Sequence, residues 1–169
     1  MADENKAASV ERVVDRDTKR IAVSNYKSAK HSVHKFGGTC LATAESISAV
    51  SRIIESKVDA GDLVVVSANG NVTNWLLALI EGGIPNGDIV IHYFEKLFAE
   101  INIDGIFLET SILENIKSDI ALICETINKG RYCKDSILAH GETWSSLILS
   151  SLLNQRGRKA QAVDSCRCL

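Results

Sequence analysis

Neither sign of charge predominates in this 169-residue sequence. Nineteen lysines and arginines stand against 21 aspartates and glutamates, for a formal net charge of -2. That balance excludes the basic footprint of a nucleic-acid binder or of a protein held electrostatically on an anionic membrane. No apolar run approaches the roughly 18 residues that a membrane span needs. The opening residues, Met-Ala-Asp-Glu-Asn-Lys, lack the apolar core of a secretory signal, so the expected location is the cytoplasm. Repeats and low-complexity tracts are absent. The cysteines (Cys40, Cys124, Cys133, Cys166 and Cys168) are odd in number and form no CxxC pair. Cys166-Arg167-Cys168 has no second pair to complete a zinc site, so free thiols are expected and a metal site is not.

What is present reads as an ordinary globular domain. Of the residues, 46% are hydrophobic and 24% charged, and a chain of this length buries about two-thirds of its unfolded surface. Residues 1–31 carry interspersed charges and few large apolar side chains, too few to offset the entropy of ordering, and are expected to form a disordered tail. The domain is expected from Ser32 to Leu169. Ser32–Phe36 reads as a short strand and Gly37-Gly38-Thr39 as a tight loop. From Leu41 a helix follows, with Ile47, Val50, Ile54 and Val58 at spacings of three and four. Gly61-Asp62 ends it. Leu63-Val64-Val65-Val66 has the apolar continuity of a strand buried on both faces, and strand, helix, strand is a parallel βαβ unit.

Beyond Ser67 the chain turns helical. Asn69-Gly70-Asn71 reads as a polar loop, followed by a helix from about Asn74 to Ile80. A second helix carries Phe94, Leu97, Phe98 and Ile101. A third opens with the capping-box pattern Ser111-Ile112-Leu113-Glu114 and continues through Ile116, Ile120, Ile123 and Ile127. The last runs from about Ser136 to Gln155 and stops at Gly157; Lys159–Val163 is expected as a third strand. The fold class is therefore α/β: a parallel sheet core with a helical insertion between strands 2 and 3.

Three places could carry chemistry. In His34-Lys35-Phe36-Gly37-Gly38-Thr39 a strand ends in lysine, glycines let backbone approach a ligand, and a helix starts beyond. Backbone amides and a mobile ammonium suit a transferring phosphoryl group, whose catalysis is mostly positioning and charge neutralisation. Gly-Gly after a strand is more often an ordinary turn. Ser67 follows the second strand on the edge where open α/β sheets bind ligands, beside Lys35 and the glycines. Thr73 begins the next helix. Helix capping by Thr73 and loop satisfaction by Ser67 are the plainer alternatives. Glu142 shares a helical stripe with Leu138, Leu149 and Leu153, where a carboxylate is costly to bury unless paired. Its partner is either a substrate ammonium or an internal lysine or arginine.

Taken together, these segments resemble a known family. Lys35-Phe36-Gly37-Gly38-Thr39 looks like the signature that opens aspartate kinases. Val64-Val65-Val66-Ser67-Ala68 with Val72-Thr73-Asn74 is similar to that family's second block, and Ala139-His140-Gly141-Glu142 with Ser145 to its third. The texture from His140 to Gln155 is closest to the bifunctional aspartokinase–homoserine dehydrogenases. The resemblance implies an amino-acid kinase α/β/α sandwich and ATP-dependent phosphorylation of the L-aspartate side-chain carboxylate to 4-phospho-L-aspartate, the first step of lysine, threonine and methionine biosynthesis. ATP and Mg2+ are the implied cofactors, L-aspartate the partner, and the full-length protein a homo-oligomer without nucleic acid or membrane. It further implies that Lys35 contacts the γ-phosphoryl group, that Gly37 and Gly38 supply backbone contacts, that Thr39, Ser67 and Thr73 contact aspartate, and that Glu142 holds its α-ammonium.

The sequence departs from the family in places. Cys40 stands where serine is usual, and Ala139 replaces another common serine. Gln161-Ala162-Val163-Asp164 resembles the strand after the third block. The family's nucleotide-binding half, with the arginine that holds the substrate carboxylate, would follow Leu169. A partial domain is thus expected. A non-catalytic truncated module that binds a partner subunit is the alternative, and a kinase for another acyl acceptor a third.

Overall fold

The computed structural model describes residues 31–83, 85, 87–101 and 108–164. The expected tail, His31 apart, and Cys166 and Cys168 lie outside them. Strand β1 (Val33–Phe36) pairs in parallel with β2 (Leu63–Val66), in the register Val33 with Leu63 through Phe36 with Val66. Between them come a 3-10 turn, Gly38–Leu41, and helix α1 (Ala44–Lys57). Thr43 caps α1: it accepts from the Ser46 N–H while the Ser46 hydroxyl accepts from the Thr43 N–H, so two orphan amides are satisfied reciprocally. Ile47, Val50 and Ile54 form the buried stripe that their spacing predicts.

Four helices follow: α2 (Val72–Ile80), α3 (Asp88–Ile101), α4 (Thr110–Asn128) and α5 (Lys134–Gln155). The longest, α5, packs on α1, α2, α4 and β2. Trp144 of α5 is buried, meets Phe94 of α3 edge-on at 5.7 Å between ring centres, and donates its Nε1–H to Asp119 of α4 at 2.8 Å. That arrangement favours the ring quadrupoles and satisfies the one polar atom of the indole. Ser111 does not cap α4, as the sequence pattern suggested. The helix starts at Thr110, its N-cap is Glu109, two residues before Ser111, and the Ser111 hydroxyl turns back to the Glu109 carboxylate.

Two strand expectations are corrected. The sheet is buried on one face only: Phe36, Val64 and Val66 join the core, while Val33, Leu63 and Val65 are 65%, 59% and 44% exposed. The helices cover the first face, and among the described residues nothing covers the second. Lys159–Val163 forms no third strand. The Asn154 amide group accepts from the Ala160 N–H at 3.0 Å and donates to its carbonyl at 2.9 Å, so a side chain takes the backbone bonds that a strand would have offered β2. Gly157, at φ +79, ends α5 in a Schellman turn with Arg158 N–H bonded to Leu153 C=O, and this aims the segment alongside the sheet. A groove of about 610 Å³, lined by β2, the end of α1, α5 and residues 157–163, separates the two.

Candidate active site

Because β1 and β2 run parallel, their carboxyl ends lie side by side. The Ser67 N–H donates to Phe36 C=O at 3.1 Å, and Lys35 Nζ reaches Ser67 Oγ at 3.5 Å. The lysine and serine predicted to share an edge do share it. Ser67 therefore turns its hydroxyl to Lys35 and not to loop backbone. Lys35 is exposed, so its ammonium can meet an incoming anion.

The glycine loop is held against the second block. Gly70 N–H donates to Gly38 C=O at 3.0 Å, and a Cβ on Gly38 would come within 2.6 Å of the Ala68 carbonyl oxygen. Gly38 is thus required for close packing of two loops. Gly37 is different: at φ -77 and ψ 164 its backbone suits any residue, and nothing lies within 4 Å of where its Cβ would stand. The open space belongs to Gly37.

The third block arrives through Gly141. A glycine inside a helix costs about 1 kcal/mol against alanine, yet here a Cβ would stand 2.6 Å from the Ala68 methyl and 3.4 Å from Val72 Cγ1. Ala68 is accordingly clasped by two glycines, through its carbonyl by Gly38 and through its methyl by Gly141. Glu142, the next residue, is exposed, with no hydrogen bond or ion pair among the described residues. Of the apolar residues whose stripe it shares, Leu138 is half-buried against the core and Leu149 and Leu153, toward the end of α5, are buried. The burial cost expected of Glu142 does not arise, and of the two alternative partners no internal lysine or arginine pairs with it among the described residues.

Thr73 is half-buried at the second position of α2 and does not cap it; Asn71 is the N-cap, bridged to Asn74 at 2.6 Å. Thr39 is exposed in the glycine loop. The 610 Å³ groove is lined by none of these residues; the candidate site is the open edge at the strand ends. Among the described residues no three His, Cys, Asp or Glu side chains are grouped as a metal site would need. Cys40, Cys124 and Cys133 are free thiols. The Ser136 hydroxyl holds the Cys133 thiol below its usual range, helped by backbone N–H groups of Ser136 and Asp135.

Sequence reasoning missed two residues. Asn69, assigned to a polar loop, is 1% exposed, donates to Leu41 C=O at 2.7 Å and accepts from Ser145 Oγ at 2.5 Å. Tyr93 of α3 donates to Ala42 C=O at 3.0 Å; burial foremost raises its pKa to about 12. Neither had a local signal, since each partner is at least 28 positions away. Gly141 did carry one, as a glycine in a helix interior.

A parallel βαβ unit with lysine, glycine loop and serine at the carboxyl ends of its strands defines an α/β protein with its candidate site at the edge where open sheets of this class bind ligands. The amino acid kinase family model matches residues 30–169, and the chain belongs to that family. It is 31% identical over 150 residues to the bifunctional aspartokinase/homoserine dehydrogenase of Buchnera aphidicola subsp. Acyrthosiphon pisum, covering 80% of this chain and 18% of that one. Lysine-sensitive aspartokinase 3 of Escherichia coli K12 is 33% identical over 142 residues, 78% of this chain and 30% of the relative. Two crystal structures of E. coli aspartokinase III resemble the fold over 78% of this chain and 30% of theirs. The complex with aspartate and ADP has a TM-score of 0.55 at 28% identity, and the complex with lysine and aspartate 0.56 at 34%. The chain thus spans less than a third of each of these relatives.

Proposed function

We propose that this chain provides the aspartate side and the phosphoryl-contacting lysine of an aspartate kinase. The observation that carries the reading is the convergence at Ala68: Lys35 and Ser67 meet at the strand ends, and Gly141 lays the Glu142 helix on the residue after Ser67. In the reaction, a side-chain carboxylate oxygen of aspartate attacks the γ-phosphorus of ATP, the bond to the β–γ bridging oxygen breaks, and ADP leaves. Lys35 stabilises charge on the transferring group, with backbone from Gly37 and Gly38 beside it. Thr39, Ser67 and Thr73 contact aspartate, and Glu142, without a cation partner among the described residues, receives its α-ammonium. The described residues offer no metal-ligand cluster, so Mg2+ is assigned no step here and accompanies the nucleotide. Homo-oligomerisation and a cytoplasmic location belong to the same proposal, as does membership in a longer bifunctional polypeptide.

The second reading, a non-catalytic module bound to a partner subunit, is favoured by the exposed apolar row Val33, Leu63 and Val65. Aspartate-dependent ADP release from ATP and magnesium, with and without Lys35→Ala, tests the first. Activity abolished by the substitution supports a kinase. If neither protein releases ADP, calorimetric titration with aspartate decides: binding that requires Glu142 keeps the substrate side of the reading, and no binding overturns it.

A further inference from the structure

The three blocks of the candidate site come from distant parts of the chain, and one side chain is bonded to two of them while sitting in the third. Asn69 belongs to the second block, two residues after Ser67. Its Nδ2 donates to Leu41 C=O at 2.7 Å, at the end of the turn that begins with Gly38. Its Oδ1 accepts from Ser145 Oγ at 2.5 Å, three residues after Glu142 and therefore on the adjoining face of α5. Both Asn69 and Ser145 are 1% exposed. A buried amide is stable there only because both of its ends are bonded, and an apolar residue of similar volume would fill the space without linking anything.

We infer that Asn69 is a positioning residue that couples the lysine-side loop to the helix bearing Glu142, so that ligand capture on one side orders the other. The inference rests on the reading of Glu142 as the ammonium site. The bond to Leu41 sets the height of the 3-10 turn, hence of Gly38 and Thr39, above the strand ends. The bond to Ser145 sets the rotation of α5 about its axis, and with it the direction in which Glu142 points. Tyr93 holds the neighbouring carbonyl, Ala42, from α3 through a hydrogen bond in which α5 takes no part, so it steadies the same loop without a bond to the helix of Glu142.

Backbone amide NMR on the full 169-residue chain tests this with two readouts. The first needs no ligand: hydrogen exchange at residues 38–42 and 141–145. Ser145→Ala, a small deletion chosen because Asn69→Ala can fail to fold, is expected to raise exchange in both segments together. Tyr93→Phe is expected to raise it only in the first. Asn69→Asp, which keeps an acceptor for Ser145 but has no amide donor for Leu41, is expected to raise exchange in both segments as well, because a coupling carried by one side chain is reciprocal. If Ser145→Ala leaves the 38–42 amides unchanged, the coupling is refuted. The second readout is titration with L-aspartate. The unaltered chain is expected to shift amides in both segments; Ser145→Ala is expected to bind about fivefold more weakly, with the shift at residues 38–42 lost. A variant response equal to that of the unaltered chain refutes the inference. Absence of any aspartate response in the unaltered chain, with linked exchange intact, overturns the assignment of Glu142 and leaves the coupling standing.

Discussion

Gly141 lies directly against Ala68, so close that a Cβ carbon at position 141 would stand 2.6 Å from the Ala68 methyl. Helix α5 and the loop after β2 can meet at that distance only without a side chain between them. Gly141→Ala is expected to push them apart and to destabilise the domain by about 1–3 kcal/mol, as overpacked sites do. Gly38→Ala, which would meet the Ala68 carbonyl oxygen at 2.6 Å, is expected to behave alike. Gly37→Ala has open space and an ordinary backbone conformation, so its stability should stay within about 0.5 kcal/mol of the unaltered chain. Urea unfolding of the three variants checks this; equal costs at 37 and 38 would show that the loop does not pack as described.

Glu142 is exposed and has no partner among the described residues, so removing its charge should not affect folding. Glu142→Gln is expected to keep the melting temperature while weakening aspartate binding by roughly 10- to 100-fold, the range of a lost charge-assisted hydrogen bond. Calorimetry compares the two proteins. A stability change without a binding change would assign Glu142 to structure instead.

At the opposite end of the sheet, Asp62 accepts from the Ser32 N–H at 2.8 Å and the Asp59 N–H at 3.2 Å, and pairs with His34 Nε2 at 3.2 Å. The Ser32 bond foremost, then His34, holds the Asp62 carboxyl below the usual range. Since its folded pKa is the lower one, this stabilisation is present above the unfolded pKa, about 4, and is lost as pH falls through the folded value. Urea midpoints are expected to drop below about pH 4. Asp62→Asn should be less stable at neutral pH and lose part of that acid slope. Parallel pH profiles for the two proteins would rule the contribution out.

Tyr93 titrates in the opposite sense. Its pKa is raised to about 12, so the phenol's contribution is complete below the unfolded value of 10.0 and declines as pH rises from there toward 12. Tyr93→Phe keeps the ring contacts with Trp75 and Phe94 and removes the bond to Ala42. It should cost about 1 kcal/mol near neutral pH. Absorbance of the phenolate during an alkaline titration reads the pKa directly.

The uncovered sheet face gives a further expectation. Val33, Leu63 and Val65 present an apolar row, which in water tends to find a partner. The chain alone is expected to self-associate in sedimentation velocity, and Val65→Lys to shift it toward monomer. A monodisperse monomer at high concentration would count against the row as an association surface.

Much of this protein was determined locally. The apolar periods of α1, α3 and α4, the glycine stops and the two short strands follow from side-chain spacing and turn chemistry, which act over a few residues. Lys35 and Ser67 were legible as neighbours because parallel strands place their carboxyl ends together whatever else the fold does. What the tertiary structure alone decided depends on contacts distant in sequence. The Asn154 amide displaced the expected third strand, tertiary packing buried Leu149 and Leu153 of the α5 stripe and left Glu142 exposed, and Asn69, polar by type and placed in a loop, was drawn into the core. Its bonding partners at Leu41 and Ser145 lie 28 residues before it and 76 after, so no window along the chain contains the reason for its burial.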